Sequence, residues 1–173
     1  LQRGAARVHA VDVGYGQLAW KLRQDKRVAV VERTNIRQVE PSQLYKENGQ
    51  KAQIAVIDVS FISLSKVLTS VYNLLGEKGE VVALVKPQFE AAKNDVEPGG
   101  LVKKESVHKK VLQKVVADSE TNRFGVIGIT FSPIAGADGN IEFFAHLKKD
   151  SISAFGGDNK IDEVIAQGHK EAS

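Results

Sequence analysis

The sequence predicts an α/β fold in which a mainly parallel, twisted sheet has helices on both faces and an antiparallel late strand. Three observations predict it: short β-branched runs recur along the chain, helix-like segments separate the first of these runs, and the last two runs have no helix between them. Strands that alternate with helices form parallel sheets through right-handed crossovers. Two strands without an intervening helix indicate an antiparallel edge on such a sheet.

Four short apolar runs are the expected parallel strands. Their sequences are RVHAVDV, VAVVE, AQIAVIDV and EVVALV, at residues 7–13, 28–32, 52–59 and 80–85. Runs of this length, rich in valine and isoleucine, are typical of buried strands. Residues 18–23 suit a short helix. Residues 65–75 place five apolar side chains on one helical face before Gly76, which predicts a longer helix that ends there.

The pattern changes after Lys86. Residues 86–100 contain two prolines and two glycines, which predicts a long, mobile loop in which Glu90 and Glu97 receive no role. The elements expected after it are a helix, two strands and either a last helix or a frayed tail, at residues 106–118, 126–131, 141–147 and 161–167.

Composition excludes several classes of protein. The chain has 173 residues, of which 42% are hydrophobic and 26% charged, which suits a globular domain with a substantial core. It contains no cysteine, so disulfides, thiolate catalysis and cysteine-ligated metals are excluded. No segment approaches the roughly 20 apolar residues of a membrane helix, and no signal peptide is recognisable. We therefore expect a cytoplasmic protein without stable membrane insertion, and its net charge of +3 is compatible with a polyanionic partner.

The expected organisation is one domain over residues 1–150, followed by a C-terminal tail or last helix over residues 151–173. The chain begins with leucine and contains no methionine, which indicates an internal segment of a longer protein; a natural protein poor in methionine is the alternative. A strand and a glycine-rich loop normally open a doubly wound nucleotide-binding fold, and here they would fall upstream of the first residue.

Charged side chains stand at the ends of several predicted strands. Asp12 ends the first, where a carboxylate can accept hydrogen bonds from a ribose; capping of the next helix is the alternative. Asp58 and Lys86 end the third and fourth strands, and Glu142 begins the last. Because the carboxyl ends of parallel strands meet at one edge, these three side chains are expected to face one crevice. A structural salt bridge at that edge is the alternative.

Other residues carry weaker signals. Five lysines within residues 103–114 could follow a phosphate backbone, but a solvated helix face explains them equally well. Trp20, Phe61 and Phe89 can stack on a base, although Trp20 and Phe61 belong to residue types that usually lie in the core. His108 is expected on a helix surface.

Six strings of the chain carry a family resemblance. They are VHAVDVGYGQLAWKLR, ERTNIR, DVSFISL, LVKPQFEA, GLVKKESVHKKVL and SPIAGADGNIEFFAHL. In this order they resemble the TlyA (hemolysin A-type) branch of the FtsJ-like ribose methyltransferases, over residues 1–150. The resemblance implies a Rossmann-like methyltransferase fold that uses S-adenosylmethionine.

The resemblance also implies a catalytic tetrad of lysine, aspartate, lysine and glutamate. Asp58 in DVSFISL matches its aspartate, Lys86 in LVKPQFE its second lysine, and Glu142 in GNIEFF its glutamate. The first lysine, the glycine-rich loop and a small RNA-binding domain would lie upstream. No metal ligand is implied. The residues implied for cofactor binding are Asp12, Thr34, Asn35 and Asp58.

The implied function is methylation of ribose 2′-hydroxyls in RNA, with ribosomal RNA or a ribosomal subunit as the partner. Alignment of oxygen, methyl carbon and sulfur supplies much of the acceleration in such a displacement. A lysine can accept the hydroxyl proton only in its neutral form, which nearby carboxylates oppose. Lys86 is therefore either the base or the group that orients the hydroxyl. The alternatives from other classes are a membrane-active hemolysin and a cofactor-free RNA-binding remnant.

Overall fold

The computed structural model describes residues 1–46 and 49–171, and the chain divides into two compact units, Leu1–Lys51 and Ala52–Ser173. In the first unit, strands β1 (Val8–Val11) and β2 (Val28–Val31) pair in parallel. The short helix α1 (Trp20–Arg23) lies between them in the chain, as predicted. Helix α2 (Pro41–Leu44) follows β2 and begins with a proline, whose missing N–H costs nothing at the first helical position.

The second unit contains a four-stranded mixed sheet. Its strands are β3 (Ala52–Ile57), β4 (Leu75–Val85), β5 (Phe124–Phe131) and β6 (Phe143–Lys149). Its helices are α3 (Ser65–Leu74), α4 (Pro87–Glu90), α5 (Glu105–Thr121) and α6 (Gly157–Glu171). The strand order is β3-β4-β6-β5; β3 and β4 are parallel, and β6 is antiparallel to both of its neighbours. The predicted antiparallel late strand is confirmed, but β6 lies inside the sheet and β5 forms its edge.

Helices α3 and α5 bury the apolar faces that their periodicity predicted. The buried apolar residues are Val67, Leu68, Val71 and Leu74 in α3, and Val107, Val111, Leu112 and Val115 in α5. Phe124, Phe143 and Leu147 of the sheet are fully buried as well. Burying each side chain of this size contributes about 1.5–3 kcal/mol, so these contacts are a main source of the second unit's stability.

The tail of the chain forms a helix and is not frayed. Helix α6 buries Ile161, Val164 and Ile165. Its Gly168 packs closely, because an added Cβ would lie 3.2 Å from side-chain atoms of both Ile141 and Phe131. Of the two alternatives for the tail, the last helix is therefore correct.

The prediction of a long loop after Lys86 is wrong. Helix α4 follows Lys86 directly, and a 3-10 turn occupies Lys93–Asp95. Pro87 and Glu90 are buried. Proline fixes the backbone angle that a first helical turn needs, and Glu90 gains buried hydrogen-bond partners. The segment is therefore anchored to the rest of the second unit and is not the free loop that its composition indicated.

Several expectations about burial are also wrong. Trp20 is 69% exposed and Phe61 is 91% exposed, whereas His108 is fully buried. Strand β3 was expected to be buried, but it forms the open edge of its sheet, where Ile54 and Val56 are exposed. Among the helices of the described ranges, none combines the length and the apolarity that a bilayer crossing requires.

Candidate active site

Strand register brings the three predicted catalytic side chains to the same end of the sheet. Ile57 pairs with Ala83 in the parallel β3–β4 ladder, so Asp58 and Lys86 both follow at the carboxyl ends of their strands. Val85 pairs with Phe143 in the antiparallel β4–β6 ladder. Glu142, one residue before Phe143, therefore stands beside Lys86, one residue after Val85. The predicted convergence at this edge is what the structure shows.

Lys86 makes the central contact of this group. Its Nζ lies 2.6 Å from Asp58 Oδ1 and donates a hydrogen bond to Ser60 Oγ at 3.1 Å. The Lys86 side chain is 14% exposed, whereas that of Asp58 is 65% exposed. The ammonium is thus held by two acceptors while one face of the pair stays open to a ligand. Ser60 was not singled out from the sequence, because a serine two residues after an aspartate carries no specific signal.

Glu142 is 7% exposed. Burial raises the pKa of this carboxyl; the Lys86 charge and a hydrogen bond with Gln88 oppose the shift, and the Asp58 charge adds to it. Glu142 also packs against Gly136, where an added Cβ would collide with its carboxylate. The 132–140 connection therefore needs a residue without a side chain at this point. Glu142 is a buried acid near the lysine, well suited to a positioning role.

Glu90, which received no role from the sequence, is a buried acceptor behind this edge. Its carboxylate accepts hydrogen bonds from Ser63 Oγ and the Leu64 backbone N–H, both at 2.6 Å, and from Lys114 Nζ at 2.9 Å. The string KPQFE contains a signal that could have located it. Proline at a helix start places the glutamate one turn beyond Lys86.

An aromatic pair, in which Phe61 is exposed and Phe89 is half-buried, lies next to the same residues in the chain. Phe61 follows Ser60 directly and has a φ of 62°. Its ring centroid is 5.0 Å from that of Phe89, in helix α4. A positive φ is rare for a bulky residue and costs roughly 1–3 kcal/mol, and such strain concentrates at functional sites. The sequence grouped these rings as possible stacking residues but favoured a core position for Phe61.

In the first unit, the three residues implied for cofactor binding lie at one end of the β1–β2 pair. The Asp12 N–H donates to the Val31 carbonyl, and the Thr34 N–H donates to the Asp12 carbonyl at 2.9 Å. Asn35 Oδ1 accepts the Arg37 backbone N–H at 3.1 Å and so caps the following 3-10 turn. These bonds place Asp12, Thr34 and Asn35 together at the carboxyl ends of parallel strands.

The Asp12 carboxylate suits a ligand that carries hydroxyl groups. It is exposed, and Oδ1 accepts the Gly14 N–H at 2.6 Å. This bond fixes the carboxylate in the turn after β1 without burying it. A carboxylate that is fixed and exposed can accept hydrogen bonds from the two adjacent hydroxyls of a ribose.

Three of the five lysines within residues 103–114 form ion pairs with acidic neighbours. Lys103 pairs with Glu97, Lys109 with Asp162, and Lys114 with Glu90 and Asp118. These pairs favour the solvated-face interpretation over a path for a phosphate backbone. The residues that the structure describes contain no group of three or more His, Asp or Glu side chains arranged to hold a metal ion.

Comparisons with known proteins show the family to which the chain is similar. The sequence profile of a family described as FtsJ-like methyltransferase matches residues 1–149. The chain is 44% identical over 173 residues to YqxC of Bacillus subtilis (strain 168), named as a candidate rRNA methyltransferase, with 98% of this chain and 60% of YqxC covered. It is 39% identical over 171 residues to TlyA of Mycobacterium tuberculosis, named 16S/23S rRNA (cytidine-2′-O)-methyltransferase, with 97% of this chain and 62% of TlyA covered.

A solved structure is also similar. The chain superposes with a TM-score of 0.92, at 48% identity, on a candidate hemolysin from Streptococcus thermophilus, with 98% of this chain and 60% of that one covered. The chain thus spans about 60% of the length of each of these three relatives.

Proposed function

Because this chain belongs to the FtsJ-like methyltransferase family, we propose that it forms most of a catalytic domain that methylates ribose 2′-hydroxyls in RNA. The α/β methyltransferase fold and the family resemblance expected from the sequence are both confirmed. Ribosomal RNA is the proposed substrate, since TlyA is named as an rRNA methyltransferase and YqxC as a candidate one. The cytoplasm is the proposed location, because ribosomal RNA is found there.

The observation that carries the proposal is the contact between Lys86 and Asp58 beside the buried Glu142. We assign Lys86 to the ribose hydroxyl, as the group that orients its oxygen and, once neutral, accepts its proton. Asp58 and Ser60 hold the Lys86 side chain in one direction through their contacts with its Nζ. The buried Glu142 lies beside Lys86 and bounds the site there. The new bond joins the ribose oxygen to the methyl carbon, while the bond from that carbon to sulfur breaks and its electron pair stays on sulfur.

S-adenosylmethionine supplies a methyl group on a positively charged sulfur, which needs no further activation. The Asp12 carboxylate is exposed and held by the Gly14 N–H, which fits the hydroxyls of its ribose. Thr34 and Asn35, at the same strand ends, are assigned to the neighbourhood of the adenine. We also assign Asp58 to the cofactor side of the site, since its carboxylate is mostly exposed.

Two further features support an RNA substrate. The exposed ring of Phe61, tilted against Phe89, offers a face on which a base can stack. Residues 1–51 contain ten Lys or Arg residues and five Asp or Glu residues, so the first unit carries a net charge of +5 against +3 for the whole chain. A polyanion is attracted to such an excess of positive charge.

We further propose that the missing parts of the machinery lie in a preceding segment of the full-length protein. These parts are the first tetrad lysine, the glycine-rich cofactor loop and an RNA-binding domain. The relatives are longer than this chain, and β3 presents an open sheet edge with Ile54 and Val56 exposed. An open edge of this kind can accept another parallel strand.

Methyl transfer to RNA tests the proposal. The full-length protein is incubated with S-adenosylmethionine that carries a tritiated methyl group and with undermethylated ribosomal RNA. We expect the label to appear in dinucleotides that resist alkali, because a methylated 2′-oxygen cannot attack the neighbouring phosphate. A DNA strand of the same sequence is the control, since it lacks the 2′-hydroxyl. Label on a base, or equal label on DNA, would contradict the proposal.

Two measurements address the rival functions. A membrane-active hemolysin would release dye from liposomes, and we expect no release. A cofactor-free RNA-binding remnant would bind RNA but not S-adenosylmethionine. Calorimetric titration of this chain and of the full-length protein with S-adenosylmethionine therefore distinguishes a catalytic domain from such a remnant.

A further inference from the structure

The two segments that carry the Lys86–Asp58 pair leave the sheet independently. After β3 the chain runs through residues 58–64 before α3 begins, and after β4 it enters α4. The last paired residues of the two strands are Ile57 and Ala83, so the ladder ends before both site residues. Geometry at the site therefore depends on what joins these two segments beyond the sheet.

Glu90 makes that connection. It lies one helical turn after Lys86, and its carboxylate reaches the other segment at Ser63 Oγ and at the Leu64 N–H. Leu64 is the N-cap residue of α3 and makes no side-chain capping bond. Glu90 thus provides the acceptor that a helix start requires, with a negative charge at the positive end of the helix dipole.

The buried charge of Glu90 is balanced by Lys114 of α5. The Glu90 side chain is 2% exposed, and Lys114 Nζ donates to its Oε2 at 2.9 Å, to Ser63 Oγ at 3.1 Å and to Asp118 Oδ2 at 2.9 Å. Burial alone would lower the pKa of Lys114, but hydrogen bonds to Asp118 and Glu90 raise it above its usual value. Lys114 therefore stays charged, and its ammonium lies against the buried Glu90 carboxylate.

We propose that Glu90 is a positioning residue that joins α4 to residues 58–64 and thereby sets the distance between Lys86 and Asp58. Its contacts are Ser63, Leu64 and Lys114, so it acts through the two segments and does not touch the reacting atoms. That the distance between Lys86 and Asp58 matters for catalysis rests on the proposed function. The link itself rests on the hydrogen bonds alone.

Matched variants separate positioning from simple stabilisation. Glu90→Ala removes the link, Glu90→Gln keeps one carbonyl acceptor for the Leu64 N–H, and Ser63→Ala removes a single donor. Asp118→Asn is the control, because it disturbs the same Lys114 without touching residues 58–64. All four are assayed in the full-length protein below their melting temperatures.

We expect Glu90→Ala to lower kcat about 100-fold and Glu90→Gln to restore part of it, since a displacement of about 1 Å can cost that much. Asp118→Asn should keep kcat within about twofold of the original protein even if it lowers the melting temperature as much as Glu90→Gln does. If Asp118→Asn and Glu90→Gln lose kcat in equal measure, or if Glu90→Ala retains it, Glu90 is only a stabilising residue.

A second readout does not require activity. In a crystal structure of Glu90→Ala, the distance from Lys86 Nζ to Asp58 Oδ1 should exceed about 4 Å, the limit of an ion pair. In Asp118→Asn and in Ser63→Ala it should stay below that limit. An unchanged distance in Glu90→Ala overturns the positioning role even if the protein methylates RNA. An absence of methyl transfer by the unmodified protein counts against the proposed function and leaves this distance test intact.

Discussion

Lys86 Nζ and Asp58 Oδ1 are 2.6 Å apart at the ends of two neighbouring parallel strands, and the lysine is much less exposed than the carboxylate. Such a pair is worth little to stability when one partner faces solvent, with measured values of about 0–1 kcal/mol. The contact is therefore better understood as a way to hold the lysine in one direction. The consequences for activity and for stability can be measured separately.

Replacement of Lys86 should affect methyl transfer far more than cofactor binding. Lys86→Ala is expected to lower kcat by about 10²–10⁴-fold, the usual cost of losing a positioned acid–base group. Calorimetric titration with S-adenosylmethionine should change little. Lys148→Ala is the matched control, because it removes a lysine near the other end of β6, where Lys148 pairs with Glu80. Near-normal turnover in Lys86→Ala would show that another group handles the hydroxyl.

Replacement of Asp12 should have the opposite effect. Its carboxylate is assigned to a ribose contact that exists in the ground state and in the transition state alike, so Asp12→Ala should raise the cofactor dissociation constant first. The rate at saturating S-adenosylmethionine should change much less. The measurement is the same titration, combined with initial rates at increasing cofactor concentration. A pure loss of kcat with unchanged affinity would remove Asp12 from the cofactor site.

Addition of one methyl group at Gly136 should disturb Glu142. A Cβ there would meet the Glu142 carboxylate, so Gly136→Ala must displace it and is expected to lower kcat roughly 10- to 100-fold. Gly128→Ala is the control, since a Cβ at that position meets only His146 Cβ at an ordinary 4.0 Å. Both variants should be assayed for methyl transfer and for thermal unfolding. Equal rates in the two variants would mean that the position of Glu142 is unimportant.

Removal of the exposed ring of Phe61 should weaken RNA binding and leave the fold intact. A base that stacks on an aromatic side chain gains about 1–3 kcal/mol, so Phe61→Ala should raise the KM for RNA between about 5- and 150-fold. Ile152→Ala provides the comparison. Ile152 is 88% exposed and follows the far end of β6, away from Glu142. A similar change in KM for both variants would point to a general surface effect.

Stability should decline in mild acid because of His108. Burial is the main cause that lowers the pKa of His108 to about 4, and the neighbouring His169 lowers it further, against a hydrogen bond to the Val102 carbonyl. Above the ordinary value of 6.5, both the folded and the unfolded chain carry this histidine neutral. Between that value and about pH 4 only the unfolded chain takes up the proton, so the free energy of unfolding should fall by up to about 3 kcal/mol.

Denaturant unfolding at a series of pH values measures this loss. His108→Gln should remove most of the pH dependence in that range, whereas His146→Gln, which changes a histidine on the sheet surface, should keep it. A wild-type stability that stays constant from pH 7 to pH 4 would contradict the assignment.

The parts predicted from the sequence are those that depend on local pattern. Helical periodicity located α3, and apolar runs that end in charged residues located Asp58 and Lys86. Glu142 required the additional inference that the last strands pair antiparallel. In each case the information lies within a few neighbouring residues or in the order of the elements.

The parts that could not be predicted depend on contacts between distant segments. Glu90 is buried because Ser63 and Lys114, which are 27 and 24 residues away, offer it hydrogen bonds. His108 is buried because α6 brings His169 against it, with 2.9 Å between Nδ1 and Nε2. The proline and glycine content of the segment after Lys86 predicted a loop. Composition does not record position, however, and Pro87 stands at the first position of α4, where proline favours a helix.

The position of β6 between β4 and β5 has a consequence for synthesis on the ribosome. Because β6 follows β3, β4 and β5 in the described part of the chain, the inner place between β4 and β5 stays empty until residues through Lys149 have emerged. Until then β4 and β5 both present unpaired backbone groups, which favour association with other chains. Glu142 arrives with the same strand. A nascent chain that stops short of β6 therefore lacks the strand that joins β4 to β5, and it has no complete site.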